Sequence, residues 1–119
     1  VFIKGGMSFE NLAQHFRSAD LVVYPSYYEG QGLIPLESLA SGTPVVTVNQ
    51  APLTEMIDET VGSLFECGNP SDLAMAVNAA LDDPEGRVKQ AELGRERVLS
   101  KYTYDHNAAD YEAIYRSLL

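Results

Sequence analysis

Two glutamates, Glu29 and Glu37, enclose two glycines, Gly30 and Gly32, in one short stretch of the chain. Glycine permits positive φ angles and lets a ligand approach the backbone where a Cβ would otherwise stand. An ionised glutamate has two acceptor oxygens, so it can accept hydrogen bonds from two sugar hydroxyls at once. These residue types therefore predict a loop that binds a hydroxyl-rich ligand close to its backbone.

The elements on either side predict where that loop lies. The apolar run 21–24 favours a buried strand that ends at Pro25. A helix is expected to begin at Gly32 or Leu33, with Pro35 in its first turn, where proline is tolerated. The free N–H groups of that turn and the positive end of the helix dipole would point into the loop, which is an arrangement that binds phosphate.

The rest of the chain alternates strand-like and helix-like segments. Such alternation predicts right-handed crossovers and a parallel sheet with flanking helices, which is an α/β fold of the Rossmann-like, doubly wound kind. Ligands of such sheets bind beyond the carboxyl ends of the strands, where the Glu29 loop is expected to lie. The other predicted elements are strands at 1–4, 44–48 and 61–65, helices that follow caps at Ser8, Asn69 and Asp83, a helical turn at 54–58 and a long amphipathic helix over 104–118.

Helical spacing also predicts which side chains face the core. We expect Phe9, Leu33 and Val88 to face inward on their respective helices. The tyrosine-rich face of the helix over 104–118 is interpreted as a packing surface on the same grounds.

The composition disfavours several classes of function. Eight basic and seventeen acidic residues in 119 give a formal charge of −9, which repels nucleic acid and anionic lipid surfaces. The single cysteine, Cys67, cannot form an internal disulfide, and the two histidines lie far apart. We therefore expect a cytoplasmic protein without a metal site or a nucleic-acid partner. Because Val1 is not an initiator Met, we also expect a fragment.

The spacing Glu-x7-Glu from Glu29 to Glu37, followed by Gly42, Thr43 and Pro44, resembles the donor-binding signature of the retaining family 4, or group 1, glycosyltransferases. Those enzymes have the two-domain GT-B architecture. The resemblance implies that residues 1–119 are the later part of the C-terminal, nucleotide-sugar-binding domain, truncated at its N-terminus. The acceptor domain of the same protein would be missing. The last helix would cross back onto that domain, which would leave part of its tyrosine stripe exposed.

The resemblance also implies roles for single residues. Glu29, as the catalytic residue, would contact sugar hydroxyls, and Glu37 would hold the ribose. The backbone amides between them would contact sugar and phosphate. Gln31 stands where the family most often has an aromatic or apolar residue, so the sugar stays open. The implied donor-binding residues are Glu29, Gly30, Gln31, Gly32, Leu33 and Glu37.

The implied parent protein is a retaining, hexosyl-type glycosyltransferase. It would move a sugar from a nucleoside-diphosphate sugar to a hydroxyl acceptor, with no cofactor and no metal. The cations that face the diphosphate would precede Val1, so this chain alone is expected to be inactive. Whether the parent protein is peripheral to a membrane stays open.

Two other interpretations use the same residues. A non-catalytic nucleotide- or phosphate-binding module would need the same loop and helix but no sugar chemistry. A related GT-B enzyme, such as a glycogen synthase or a sugar-nucleotide epimerase, would use Glu29 for different chemistry.

Overall fold

The computed structural model describes residues 5–119 and contains a parallel sheet of three strands. The strands are β1 (Val22–Tyr24), β2 (Val45–Val48) and β3 (Ser63–Phe65), in that spatial order. The parallel sheet predicted from the alternation of segments is confirmed. The strand predicted at 1–4 lies outside the described residues.

Helices flank the sheet in the described part of the chain. Three of them begin where the sequence predicts, because Ser8, Asn69 and Asp83 each accept a hydrogen bond from an N–H group in the first turn. Within residues 5–119, no helix combines the length and apolarity needed to cross a membrane. The helices are α1 (Phe9–Ser18), α2 (Leu33–Ala40), α3 (Leu53–Met56), α4 (Pro70–Asp82), α5 (Pro84–Lys101) and α6 (Tyr104–Ser117).

The middle strand β2 is the centre of the hydrophobic core. All four of its residues are buried, whereas β1 and β3 keep exposed surface. Val46 pairs with Val23 of β1 on one side and with Ser63 of β3 on the other. Leu39 of α2 and Ile57, which follows α3, have no exposed surface and belong to the same apolar cluster. The core therefore fixes the sheet and α2 relative to each other.

The strand that leads into the glycine-containing loop is less buried than the sequence predicts. β1 lies at the edge of the described sheet, and Val23 keeps 40% of its surface exposed while Val22 and Tyr24 are half-buried. One face of β1 packs on the core and the other does not. The prediction of a buried strand over 21–24 was wrong in this respect, because four apolar residues in a row do not distinguish a central strand from an edge strand.

Three side chains predicted to face the core are exposed. Phe9 keeps 86% of its surface, and Leu33 and Val88 each keep 59%. All three lie near the start of a helix, outside the part that packs, since α1 buries Phe16 and α5 buries residues only from Ala91 onward. Helix α6 buries no residue, so the packing predicted for its tyrosine face is absent from the described residues. Periodicity predicts a face but not how much of its length a neighbouring element covers.

Helices α2 and α5 pack closely and run antiparallel. Gly94 of α5 lies against Leu39, such that a Cβ built on the glycine would come within 2.6 Å of the Leu39 Cδ2 atom. The Arg95 guanidinium donates to the carbonyl of Ala40, at the far end of α2. The last turn of α5 is consequently brought beside the first turn of α2 and the loop before it.

An ion pair links α5 to the segment between α3 and β3. The Arg97 guanidinium lies 3.0 Å from the Asp58 carboxylate and donates to the Thr60 hydroxyl at 2.9 Å. Hydrogen bonds from Thr60, and then from Arg97, lower the pKa of the Asp58 carboxyl. Exposed pairs of this kind contribute at most about 1 kcal/mol, so the packing on α2 dominates the placement of α5.

Gly94→Ala is expected to destabilise the protein although alanine favours helices. The gain in helix propensity is about 1 kcal/mol. The new methyl group would overlap Leu39, which is wholly buried, and overpacking of this kind costs about 1–3 kcal/mol. We expect a net loss of about 1 kcal/mol in the free energy of unfolding, measured by urea denaturation.

Glu96→Ala is the matched control, because Glu96 is exposed on the same helix and should change the free energy of unfolding by less than about 0.5 kcal/mol. A Gly94→Ala protein more stable than the parent would contradict the close packing of α2 on α5.

Candidate functional site

The segment 25–32, called the glycine loop below, joins β1 to α2. Gly32 is the N-cap of α2 with a φ of 89°, and the helix begins at Leu33, which confirms the predicted start. Because Gly32 has no side chain, no side-chain oxygen accepts from the N–H groups of the first turn. These donors, at the positive end of the helix dipole, are available to a ligand.

The two glycines of the loop are needed for different reasons. Gly32 is buried and has a left-handed φ, and a Cβ there would overlap the side chain of Leu53. Gly30 lies outside the positive-φ region and is exposed, and a Cβ there would meet nothing within 4 Å. The backbone conformation at position 32 therefore requires glycine, whereas the absence of a side chain at Gly30 leaves open space beside the loop.

Glu29 is held by hydroxyl groups. The Tyr24 hydroxyl, at the end of β1, donates to the Glu29 Oε1 atom. The neighbouring hydroxyl of Ser26 and the hydrogen bond from Tyr24 lower the pKa of the Glu29 carboxyl below its ordinary value. Burial and the nearby Glu29 carboxylate raise the pKa of Tyr24 in turn. Glu29 is therefore an ionised carboxylate held in place at neutral pH.

Glu37 lies in the second turn of α2 and is half-buried. Its backbone carbonyl accepts from the N–H of Ser41 at 3.0 Å, but its side chain makes no hydrogen bond or ion pair to another described residue. Both of its carboxylate oxygens are free to accept from a ligand. Along the chain, Glu29 precedes the first turn of α2 and Glu37 follows it.

The remaining predicted site residues are contiguous with these two. Gly30 and Gln31 are exposed at the tip of the loop. Leu33 was predicted to face the core, but it is exposed and, with Ile34, presents an apolar edge beside the open N–H groups. Of the predicted site residues, Gly30 and Gln31 line one cavity, Gly32 is buried, and Leu33 is exposed.

A cavity of about 340 Å³ adjoins the glycine loop on the side of α5. Lys101, in the last turn of α5, lines it together with Gly30 and Gln31. Its ammonium lies 5.3 Å from the centre of the Tyr102 ring. The sequence prediction missed this cation, because Lys101 lies 69 positions after Gly32, the end of the loop. The sequence could have indicated the position of Lys101 only through the expectation that α5 packs against α2. The other residues of the wall are Pro52, Glu55, Met56 and Tyr102.

A second, smaller cavity of about 80 Å³ lies beyond the carboxyl ends of the strands. Pro25, Val48 and Phe65 line it, and each stands at or directly after the end of one strand. Cys67 and Tyr27 close its other sides. The glycine loop therefore lies where parallel sheets bind their ligands. Among the described residues, no group of three His, Cys, Asp or Glu side chains could hold a metal ion.

Residues 1–97 match the sequence model of the family described as Glycosyl transferases group 1. The chain belongs to this family. It is 35% identical over 111 residues to a D-inositol 3-phosphate glycosyltransferase of Corynebacterium kroppenstedtii, an overlap that covers 92% of this chain and 24% of that protein. It is 34% identical over 112 residues to glycogen synthase of Mycobacterium tuberculosis, an overlap that covers 93% of this chain and 27% of that protein. This group 1 chain thus spans about a quarter of the length of these relatives.

Solved structures confirm the predicted fold of this group 1 chain. A sucrose-phosphate synthase from Thermosynechococcus elongatus superposes with a TM-score of 0.88 at 34% identity, covering 97% of this chain and 29% of that one. The C-terminal domain of LpcC, a group 1 glycosyl transferase of Francisella tularensis, superposes with a TM-score of 0.77 at 30% identity. The overlap covers 87% of this chain and 53% of that one. Anabaena HepE, solved with UDP-glucose, superposes with a TM-score of 0.71 at 23% identity, covering 89% of this chain and 29% of that one. At this identity the likeness shows the fold alone. The Rossmann-like architecture is that of GT-B C-terminal domains.

Gly32→Ala is expected to lower the free energy of unfolding by about 1–2 kcal/mol, because alanine is strained at a left-handed φ. Contact of the new methyl with Leu53 adds to this cost. Thermal or urea unfolding measures the change. Gly30→Ala is the matched control and should shift the free energy of unfolding by less than about 0.5 kcal/mol. Equal losses in the two variants would contradict the different conformations assigned to the two glycines.

Proposed function

We propose that this chain is the donor-binding part of a glycosyltransferase that transfers a sugar from a nucleoside-diphosphate sugar to a hydroxyl acceptor with retention of anomeric configuration. The observation that carries the proposal is the uncapped start of α2 at Gly32, which has Glu29 on one side and Glu37 on the other. Family membership supplies the reaction class, and the geometry supports the donor site.

The diphosphate of the donor binds at the start of α2. Backbone N–H groups from Gly30 to Leu33 and the positive end of the helix dipole attract an anion there. Few cations are available to help, because the chain carries a net charge of −9. Lys101 is one that lies beside the loop. Residues of the parent protein outside this chain supply the others.

The two carboxylates bind the hydroxyl groups at the two ends of the donor. Glu37, with both oxygens free, accepts from the two hydroxyls of the ribose. Glu29 accepts from hydroxyls of the transferred sugar, and it is the catalytic residue of this site because it contacts the reacting sugar. An acceptor-only group suits both ligands, since sugar hydroxyls are donors.

The reaction breaks the bond between the anomeric carbon and the diphosphate oxygen and forms a bond between that carbon and the acceptor hydroxyl oxygen on the same face of the sugar. The proton of the acceptor hydroxyl passes to the departing diphosphate. The sugar acquires oxocarbenium character while negative charge grows on the leaving diphosphate. The N–H groups at the start of α2 stabilise that growing charge because they are fixed before the reaction begins. The step needs neither a metal ion nor a cofactor in this proposal.

The whole protein would have a second, acceptor-binding domain, which fits the chain's span of about a quarter of its relatives. Anabaena HepE has been solved with UDP-glucose, and its likeness in fold supports a nucleotide-sugar donor. We place the protein in the cytoplasm without a nucleic-acid partner, on the basis of one cysteine and the charge of −9. A peripheral position at a membrane, through the rest of the protein, is compatible with this proposal.

Two alternatives stay open. A glycogen synthase-type activity is favoured by the 34% identity to the Mycobacterium tuberculosis enzyme. It would use the same loop and helix, with Glu29 serving different chemistry. A non-catalytic nucleotide-binding module would use the start of α2 and Glu37 but would not need an oriented Glu29.

Glu37→Ala is expected to weaken nucleotide binding at least about tenfold, because hydrogen bonds to a charged group contribute about 1.5–3 kcal/mol each. The measurement is an amide chemical-shift titration of the 119-residue chain with UDP, GDP, ADP and their glucose conjugates. Shifts should concentrate at residues 30–37. Glu92→Ala, an exposed position on α5, serves as the control and should leave binding unchanged.

Unchanged nucleotide binding in Glu37→Ala would refute the assignment of the site. The titration also separates the enzyme from the module. The enzyme is expected to bind a nucleotide-glucose conjugate more tightly than the nucleotide alone, and Glu29→Gln should remove that difference. The module would bind both ligands equally well before and after the substitution.

A further inference from the structure

We propose that Tyr24 is a positioning residue, whose hydroxyl holds the Glu29 carboxylate as a fixed acceptor for a sugar hydroxyl rather than as a proton donor or a nucleophile. The inference rests on the proposed function of Glu29 as the residue that contacts the sugar. The inference assigns a role to Tyr24, a residue of the sheet, and limits Glu29 to accepting hydrogen bonds.

Tyr24 is itself held firmly. It is the last residue of β1 and pairs with Thr47 in the buried strand β2. The Thr47 hydroxyl, which is wholly buried, donates to the Tyr24 carbonyl at 3.0 Å. The half-buried Tyr24 ring packs on the core cluster, so its hydroxyl reaches the loop from a rigid support. Groups supported by strands are placed more accurately than groups supported by loops.

The part of the glycine loop next to Glu29 is exposed. Tyr28, next to Glu29, keeps 91% of its surface exposed, and the Ser26 hydroxyl donates to the Tyr28 carbonyl at 3.2 Å within the loop. The hydrogen bond from Tyr24 is therefore the direct side-chain link that the structure gives between Glu29 and the sheet. A carboxylate ordered before the ligand arrives loses less side-chain entropy on binding.

The hydrogen bond also limits the chemistry of Glu29. An ionised carboxylate can only accept, and Tyr24 occupies one position on Oε1, which leaves Oε2 for a ligand. No ion pair within residues 5–119 includes Glu29. The neighbouring hydroxyls of Ser26 and Tyr24 lower its pKa, whereas a general acid needs a raised one. The hydrogen bond from Tyr24 also reduces the basicity of the carboxylate and with it its strength as a nucleophile.

The test removes the hydroxyl and keeps the ring, by the substitution Tyr24→Phe in the 119-residue chain. Carbon-13 NMR of the side-chain carboxyl groups measures the pKa of Glu29, which should rise toward the ordinary value of a glutamate. Titration with UDP and UDP-glucose measures binding. We expect the preference for UDP-glucose over UDP to fall about threefold to tenfold while the affinity for UDP itself stays unchanged.

Tyr104→Phe is the matched control, since Tyr104 keeps 94% of its surface exposed and lies on α6. It should change neither quantity. An unaltered pKa of Glu29 in Tyr24→Phe would overturn the proposal, and so would an equal loss of UDP and UDP-glucose affinity, because that is the effect of disturbed packing.

Failure of this inference can be distinguished from failure of the proposed function. If Glu29→Gln removes the preference for UDP-glucose but Tyr24→Phe changes neither the pKa nor that preference, the donor site stands and the positioning role is wrong. If Glu37→Ala and Glu29→Gln both leave binding unchanged, the proposed function is wrong. The pKa of Glu29 in Tyr24→Phe still decides whether Tyr24 holds the carboxylate.

Discussion

The left-handed backbone of Gly32 is the constraint on which the site depends. It turns the chain from the glycine loop into α2 and leaves the first N–H groups of the helix without a side-chain cap. Gly32 packs against Leu53, a wholly buried residue of α3. The conformation of an exposed loop is thus set by its buried end, so the donors at the start of α2 are fixed before any ligand is present.

Helix α5 supports the same arrangement from the other side. Its close contact at Gly94 holds α2 against the sheet, and its antiparallel direction brings Lys101 beside the glycine loop. In a chain with a net charge of −9, the position of each cation matters more than their number. The packing of two helices therefore affects the electrostatics of the site as well as its shape.

Local signals in the sequence predicted the elements well, because caps and glycines act over three or four residues. Asn69 and Asp83 cap the helices that the sequence assigns to them, and α2 begins at Leu33. The errors came from contacts between distant segments. The exposure of Leu33 depends on what lies beside the end of α2, and the position of Lys101 depends on the direction of α5. Neither property is encoded in the spacing of nearby residues.

Glu29 and Glu37 are equivalent as chemical groups, but the fold positions them in different ways. Glu37 stands on a helix that packs against β2 and α5, so its backbone is fixed, while its carboxylate makes no hydrogen bond or ion pair to another described residue. Glu29 stands on an exposed loop, so its backbone gives little control and a hydroxyl from the sheet takes over that function. Ordering a free glutamate side chain costs up to about 2 kcal/mol of conformational entropy. For Glu37 this loss falls in the binding step, whereas for Glu29 it has already occurred during folding. Glu29, the glutamate proposed to contact the reacting sugar, is therefore the one whose carboxylate is positioned more exactly.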